Sequence, residues 1–435
     1  MPRLGSLSSS IFFTSPQTPF KLITTLNNPN PYTAAQEDAF GVSVANNGAY
    51  TIVGSKEGDA AADFGGQNGK LYVYSNTGTA LYTIDNPGLT DPQDNGDLFG
   101  QAVACSQSYI IAGARQDDLS VSVVDTGRAF IFDITDGTLL FTLNNPNPAT
   151  TAVSANGDWF GSSVAISENY AAVAAPREDA TGAGDDAGWI YIFDTSNGSL
   201  LHSIENPNID TVAEYPGDQL GERVQTLAMN NTYTVVGSWR ENTFGPTGGG
   251  DSGAIHIITN ATGAVQTIVN PNPNGPDVGT DNFDQFGYSV DISNSYIIVG
   301  AIGEDTSGTN SGNAYIYTLQ TGNWALATTL VNPNAYNTVN NDYFGAEVAI
   351  TETYCAVAAL EEDTVAGASS GVVYIFNPSN GALLNTIQNP NAYGTVDLDK
   401  FGETMSASNK FLTVGVPAED ELGNDNSGKV YIFKV

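Results

Sequence analysis

Asp284-Gln285-Phe286-Gly287, followed ten residues after the phenylalanine by Tyr296-Ile297-Ile298-Val299-Gly300-Ala301, is the stretch from which the fold can be read. Its first half, Asp-x-(Phe/Leu)-Gly, occurs seven times. The aspartates are Asp38, Asp97, Asp158, Asp218, Asp284, Asp342 and Asp399. The apolar residues two positions on are Phe40, Phe99, Phe160, Leu220, Phe286, Phe344 and Phe401, a period of 57 to 66 residues. A fixed period of this size marks a repeat architecture and must be read before any single residue.

Each repeat continues in the same order. An aromatic residue (Tyr50, Tyr109, Tyr170, Tyr296, Tyr354, Phe411, and Tyr233 in the fourth copy) opens a short run of β-branched and small residues. A loop rich in Gly, Asp and Asn follows, then a run such as Val373-Tyr374-Ile375-Phe376, a tight turn such as Ser196-Asn197-Gly198, and a run such as Leu383-Leu384-Asn385-Thr386-Ile387. An Asn-Pro step closes the unit, at Asn28, Asn86, Asn145, Asn206, Asn270, Asn332 and Asn389. Four short strands separated by turn signals predict one antiparallel sheet per unit. Helical periodicity is absent, so the chain is expected to be all-β. Seven four-stranded units predict a seven-bladed β-propeller, in which each sheet buries its faces against its neighbours. The last copy stops after Val430-Tyr431-Ile432-Phe433, while Leu22-Ile23-Thr24-Thr25-Leu26-Asn27-Asn28-Pro29 reads as a fourth strand without a blade. A 1+3 closure is therefore expected, with residues 1–19 an extended arm and 20–435 the propeller.

Phe160-Gly161 with Ala175-Pro176, Phe286-Gly287 with Gly300-Ala301, and Phe401-Gly402 with Gly415-Val416-Pro417 resemble the FG-GAP repeat of integrin α-chain propellers and related bacterial proteins. The resemblance covers residues 20 to 435. It implies a ring used for adhesion or as a ligand-binding platform. In that family several repeats also carry an acidic Ca²⁺ loop between the first two strands. Here the corresponding segments are Ser106-Gln107-Ser108, Ser167-Glu168-Asn169, Ser293-Asn294-Ser295 and Thr351-Glu352-Thr353. They offer too few oxygen ligands for calcium, so neither a metal nor a cofactor is expected.

Composition narrows the partners. The chain has 47 acidic and 13 basic residues, a net charge of −34, which repels nucleic acid and anionic membrane surfaces. No segment has the length of apolar sequence that a membrane span needs. The start, Met1-Pro2-Arg3-Leu4-Gly5-Ser6, is a poor signal peptide. Cys105 and Cys355 fall at non-equivalent repeat positions and read as small core residues. His202 and His256, the two histidines, lie inside predicted strands, and no nucleophile elbow, phosphate loop or His/Cys cluster is present. The chain is expected not to be an enzyme.

Strand alternation puts the long, acidic loops on one face. Candidate binding residues there are the seven aspartates above and a second set, Asp59, Asp118, Asp179, Asp305, Asp363 and Asp420, usually preceded by another acid. Two readings stand side by side: carboxylates that hold loop backbone N–H groups, or a ring that meets cations or a basic partner. Tyr336, Tyr393 and Trp239 are aromatic candidates for sugar or protein contacts, with packing at the blade junction as the plainer alternative. The leading expectation is a binding or host-recognition component of a phage virion (tail or capsid appendage). Its arm would dock to other virion or surface proteins, and its long-loop face would meet a surface glycan or protein. A bacterial surface or periplasmic adhesin, and a polysaccharide-acting hydrolase or lyase, are the alternatives.

Overall fold

The computed structural model describes residues 19–29, 39–56, 68–88, 96–118, 125–148, 157–179, 186–207, 217–241, 251–272, 283–333, 339–364, 367–391, 398–420 and 427–435. Among them are seven four-stranded antiparallel sheets, six of them each from one sequence repeat, and one 3₁₀ turn at Val224–Thr226. The fold is an all-β, seven-bladed propeller. Blades I to VI span 43–85, 102–144, 164–205, 227–269, 286–331 and 344–388, and blade VII contains the strands of 404–434. The strand Lys21–Asn27 lies antiparallel against Lys429–Lys434 in blade VII. Leu22 stands opposite Phe433, as Leu139 does opposite Phe132, Leu200 opposite Phe193 and Leu383 opposite Phe376 in their own blades. A bulge follows that pair in each case, so the early strand takes a fourth strand's register.

The Phe of Asp-x-Phe-Gly is the centre of each blade. Phe40, Phe99, Phe160, Phe286, Phe344 and Phe401 are completely buried. Each packs between two aromatic rings of its blade's third strand. Phe286, for example, meets Tyr315 at 5.6 Å and Tyr317 at 6.3 Å between centroids. Edge-on contacts of this kind add about 0.5–1.5 kcal/mol each beyond area burial. Blade IV lacks the aromatic triad. Leu220 replaces the Phe, and His256 and Ile258 fill the third strand, so loss of the central ring and of its partners occurs together.

Glycine sets the spacing between blades. A Cβ on Gly300 would stand 1.9 Å from the carbonyl oxygen of Gly345, and one on Gly113 would stand 1.9 Å from that of Gly161. The Gly ending one blade's second strand therefore receives the backbone of the next blade's Phe-Gly, an approach no side chain permits. Hydroxyls on the inner strands add a stitch around the ring. Ser43 donates to Gly100 O at 2.7 Å, Ser163 to Val224 O at 3.0 Å, Ser289 to Gly345 O at 2.8 Å, and Thr404 to Gly41 O at 2.8 Å. The last of these joins blade VII to blade I. The seven inner strands surround an axial cavity of about 270 Å³.

Candidate functional site

Antiparallel order brings the loops between strands two and three, and those between blades, to one face, here called the mouth. The repeat aspartates arrive there buried. Asp97, Asp158, Asp284, Asp342 and Asp399 are between 2% and 6% exposed. Each accepts a hydrogen bond from the asparagine of the preceding Asn-Pro step: Asn86 to Asp97 at 2.6 Å, Asn145 to Asp158 at 2.8 Å, Asn270 to Asp284 at 2.9 Å, Asn332 to Asp342 at 2.8 Å and Asn389 to Asp399 at 2.9 Å. Half-buried Asp218 makes the same bond with Asn206 at 3.3 Å. The asparagine's own oxygen accepts the backbone N–H two residues on, as Asn145 does from Asn147 at 2.9 Å. The two repeat signatures are thus the halves of one latch between consecutive blades. An open carboxylate ring is not what these six positions form. Burial is the reason, and it pushes Asp284 up to about 7, with help from Glu304 and Asp305, and Asp342 up to about 6.

The second acidic set divides in the same way. Asp118 accepts from Asp125 N at 2.7 Å, Asp179 from Asp186 N at 3.1 Å, Asp305 from Asn310 N at 2.6 Å, and Asp363 from Ser369 N at 2.9 Å. These carboxylates hold loop backbone, as the plainer reading of the sequence had it; Asp420 is exposed at the equivalent place. The acid before each is fully enclosed and bonded to the third strand. Glu178 accepts from Tyr191 at 2.6 Å, Glu304 from Tyr315 at 2.7 Å, Glu362 from Tyr374 at 2.6 Å and Glu419 from Tyr431 at 2.6 Å. In blade II the tyrosine is Phe130, and Arg128 supplies the donor to Asp117 instead. Asn147 also donates to Glu178, at 2.7 Å, and Asn272 to Glu304, at 2.7 Å. Burial still raises Glu178 to about 7. On the opposite face, Glu168 and Glu352 cap the turns of the neighbouring blades at Gln107 N (2.7 Å) and Asn294 N (2.8 Å).

Asp38, Asp59, Tyr336 and Tyr393 lie outside the described residues. Trp239 is half-buried at the mouth, edge-on to Tyr288 at 5.8 Å. His256 is buried, its Nδ1 2.9 Å from the Thr267 hydroxyl, and burial lowers it to about 4. Cys105 and Cys355 are unbridged. Among the described residues no three His, Cys, Asp or Glu side chains converge as metal ligands do, and no helix is long and apolar enough to cross a membrane.

What the repeat leaves free is the residue between Asp and Phe. Ala39, Leu98, Trp159, Gln219, Gln285, Tyr343 and Lys400 all have φ between 47° and 57°. This left-handed turn is imposed by the latch on whatever side chain stands there. Seven like turns therefore present six kinds of side chain beside the channel mouth. The arginines at the ends of second strands, Arg115, Arg177 and Arg240, gather at the same rim and stack on its aromatics. Arg115 lies 4.4 Å and Arg177 3.3 Å from the Trp159 ring, Arg240 4.5 Å from Trp239, and Arg223 4.0 Å from Tyr288. Sequence reasoning missed this arc. Its one available signal was that four of the chain's six arginines fall within two or seven residues of repeat landmarks in blades II to IV. Exposed Phe283 and Leu398 complete the face.

A ring of like blades with a rigid frame and a varied mouth is the architecture of a propeller scaffold. The FG-GAP repeat family matches at residues 92–132, 150–193, 279–317 and 334–376, so four blades of this seven-bladed β-propeller, II, III, V and VI, contain FG-GAP repeats. Blade IV, with Leu220 and the 3₁₀ turn, lies outside those segments. Compared with curated proteins, the chain matches none.

Proposed function

We propose that this propeller is a non-enzymatic binding protein whose working surface is the mouth. The observation that carries the reading is the contrast at that face. Residues that recur in every blade are engaged with the frame, whereas the position between Asp and Phe varies among the blades on a fixed turn. Fixed backbones with varied side chains favour recognition, because little ordering is needed on binding. The FG-GAP fold is compatible with binding or adhesion.

The finer reading is display on the outside of a virion or cell. Residues 1–19 then attach the ring to a neighbouring structural protein, and the mouth meets a host glycan or protein. Support comes from the strong negative charge, which disfavours nucleic acid and anionic membranes as partners. Binding to host surfaces with the mouth-facing variants Trp239→Ala and Tyr288→Ala as controls tests the first statement. Equal binding by both variants removes the mouth as the working surface, and turnover of a bound polysaccharide removes the non-enzymatic reading. Mass spectrometry of purified virions and of host envelopes tests the second, which fails if the chain is in neither.

A further inference from the structure

We propose that the mouth contains an anion clamp, Arg115 and Arg177 on Trp159, and that its ligand is a saccharide bearing a carboxylate or sulfate group. This rests on the binding reading above and adds a ligand class to it.

Three observations converge on the clamp. First, two guanidiniums from adjacent blades share one indole, at 4.4 Å and 3.3 Å from its centroid. Like charges so placed repel, and Arg177 is among the causes that hold Arg115 below its ordinary value, after burial. An anion between or beside them relieves that repulsion. Second, Nε of Arg115, Nε of Arg177 and Nε1 of Trp159 are enclosed without a hydrogen-bond partner among the described residues. A buried carboxylate can escape this predicament by taking a proton; these three groups are donors only and need an acceptor. Third, the acids within electrostatic reach do not supply one. Glu222 lies 3.4 Å from Arg240 instead, and Asp125, raised chiefly by burial and then by Asp118, makes no ion pair with the clamp.

The carrier of the anion follows from its surroundings. A net charge of −34 opposes a dense polyanion but tolerates single oxyanions spaced along a neutral chain. One blade on, at the position equivalent to Trp159, Gln219 has an enclosed amide oxygen that also lacks a partner. It is an acceptor one blade on from a set of donors. A sugar supplies both complements, an oxyanion for the arginines and hydroxyl donors for the glutamine.

The test uses the full chain and three saccharide probes of similar length, a galactan oligosaccharide with sparse galacturonate residues, one with sparse sulfate groups and a neutral one, beside an acidic peptide and single-stranded DNA. Calorimetry is run on the wild type, Arg177→Gln, Arg177→Lys and Arg115→Gln, with thermal melts to verify folding. Binding of at least one acidic probe, roughly tenfold or more weaker in each Gln variant and weakened by salt, supports the clamp. Which acidic probe binds distinguishes carboxylate from sulfate. Arg177→Lys is expected to be intermediate, because it keeps the charge and loses the planar fork. If the neutral probe binds as well as the acidic ones and the Gln variants do not matter, the clamp is wrong while the binding propeller stands. If an acidic peptide or single-stranded DNA binds through the arginines and no saccharide does, the saccharide assignment is overturned. If nothing acidic binds to a folded wild type, the clamp falls.

Discussion

Replacing Tyr191 with phenylalanine tests whether the enclosed acids belong to the frame. The hydroxyl donates to Glu178 Oε1 at 2.6 Å, Asn147 is the second donor at 2.7 Å, and Oε2 has no partner among the described residues. Glu178 titrates near 7 in the folded chain, against an ordinary 4.5, because burial penalises its charge. A raised folded value means that this group's contribution to stability is full below about pH 4.5 and is lost as pH rises through about 7. Above that the glutamate is ionised, and the lost bond is charge-assisted, worth about 1.5–3 kcal/mol; at pH 5 it is neutral and worth about 0.5–1.5 kcal/mol. With an unfolding entropy of about 2 cal/mol/K per residue, the first corresponds to a Tm lower by about 2 to 3 °C and the second to about 1 °C. Melts at pH 5 and pH 8.5 of wild type, Tyr191→Phe, Glu178→Gln and the double variant form a cycle. In the Glu178→Gln background, the phenylalanine should cost about 1 kcal/mol at both pH values, as a neutral bond does. Equal cost of Tyr191→Phe at both pH values in the wild-type background, or a pH difference that survives Glu178→Gln, refutes an ionised, tyrosine-bonded glutamate.

The same sign applies to the latches. With Asp284 near 7 and Asp342 near 6 instead of 3.8, the wild type should lose stability from pH 4 to pH 7, and Asp284→Asn, which keeps an acceptor for Asn270, should flatten that slope in thermal melts. Asp342→Ala removes the carboxylate that the Asn332 amide meets at 2.8 Å and should cost about 1–3 kcal/mol in urea unfolding. Gly300→Ala places a methyl 1.9 Å from the Gly345 carbonyl oxygen and should lower soluble yield and Tm, at a cost of about 3 kcal/mol or more. Leu26, 4% exposed and opposite Val430, should cost about 2–4 kcal/mol as Leu26→Ala, and deleting residues 1–27 should add self-association in size-exclusion chromatography by opening an edge.

The repeat was legible because its period is long and its landmarks are covalently local. A Phe two residues after an Asp and ten before a Tyr can be counted along the chain, and each count names a strand or a turn. Which face the loops share followed from antiparallel order alone. The partners of the carboxylates were not legible. Asp284 and Asn270 are 14 residues apart and both recur, but nothing in one sequence says that one bonds the other, so an acid-rich loop reads equally as a ligand surface. The burial of Glu178, Glu304, Glu362 and Glu419 was hidden for a similar reason. Their tyrosine donors stand 11 to 13 residues away on another strand. The arginine arc was hardest to see, since its members come from several blades and share no motif.

Departure from the repeat and the content of the mouth are connected by geometry. Blade IV loses the central aromatic ring, and its first strand is delayed by the turn Val224–Thr226. Leu227 pairs with Val236 as Val44 does with Val53, so Thr226 stands where Ser43, Ser289 and Thr404 stitch other blades; its hydroxyl turns back to Arg223 O at 2.6 Å, and the Arg223 guanidinium, just before the turn, stacks on Tyr288 of blade V. Glu347, at the same place in blade VI, bonds Met405 N at 3.2 Å with one oxygen and has the other enclosed without a partner. In blade IV the hydroxyl is turned inward by the added turn, and in blade VI it is replaced by a glutamate, so both blades give up the stitch and bring a charged side chain to the inner end of the first strand. Because Arg223 stands on the added turn with its guanidinium on Tyr288, Arg223→Ser should leave the fold intact by thermal melt while weakening binding at the mouth, and a variant that loses stability and keeps binding would show that Arg223 serves the frame after all.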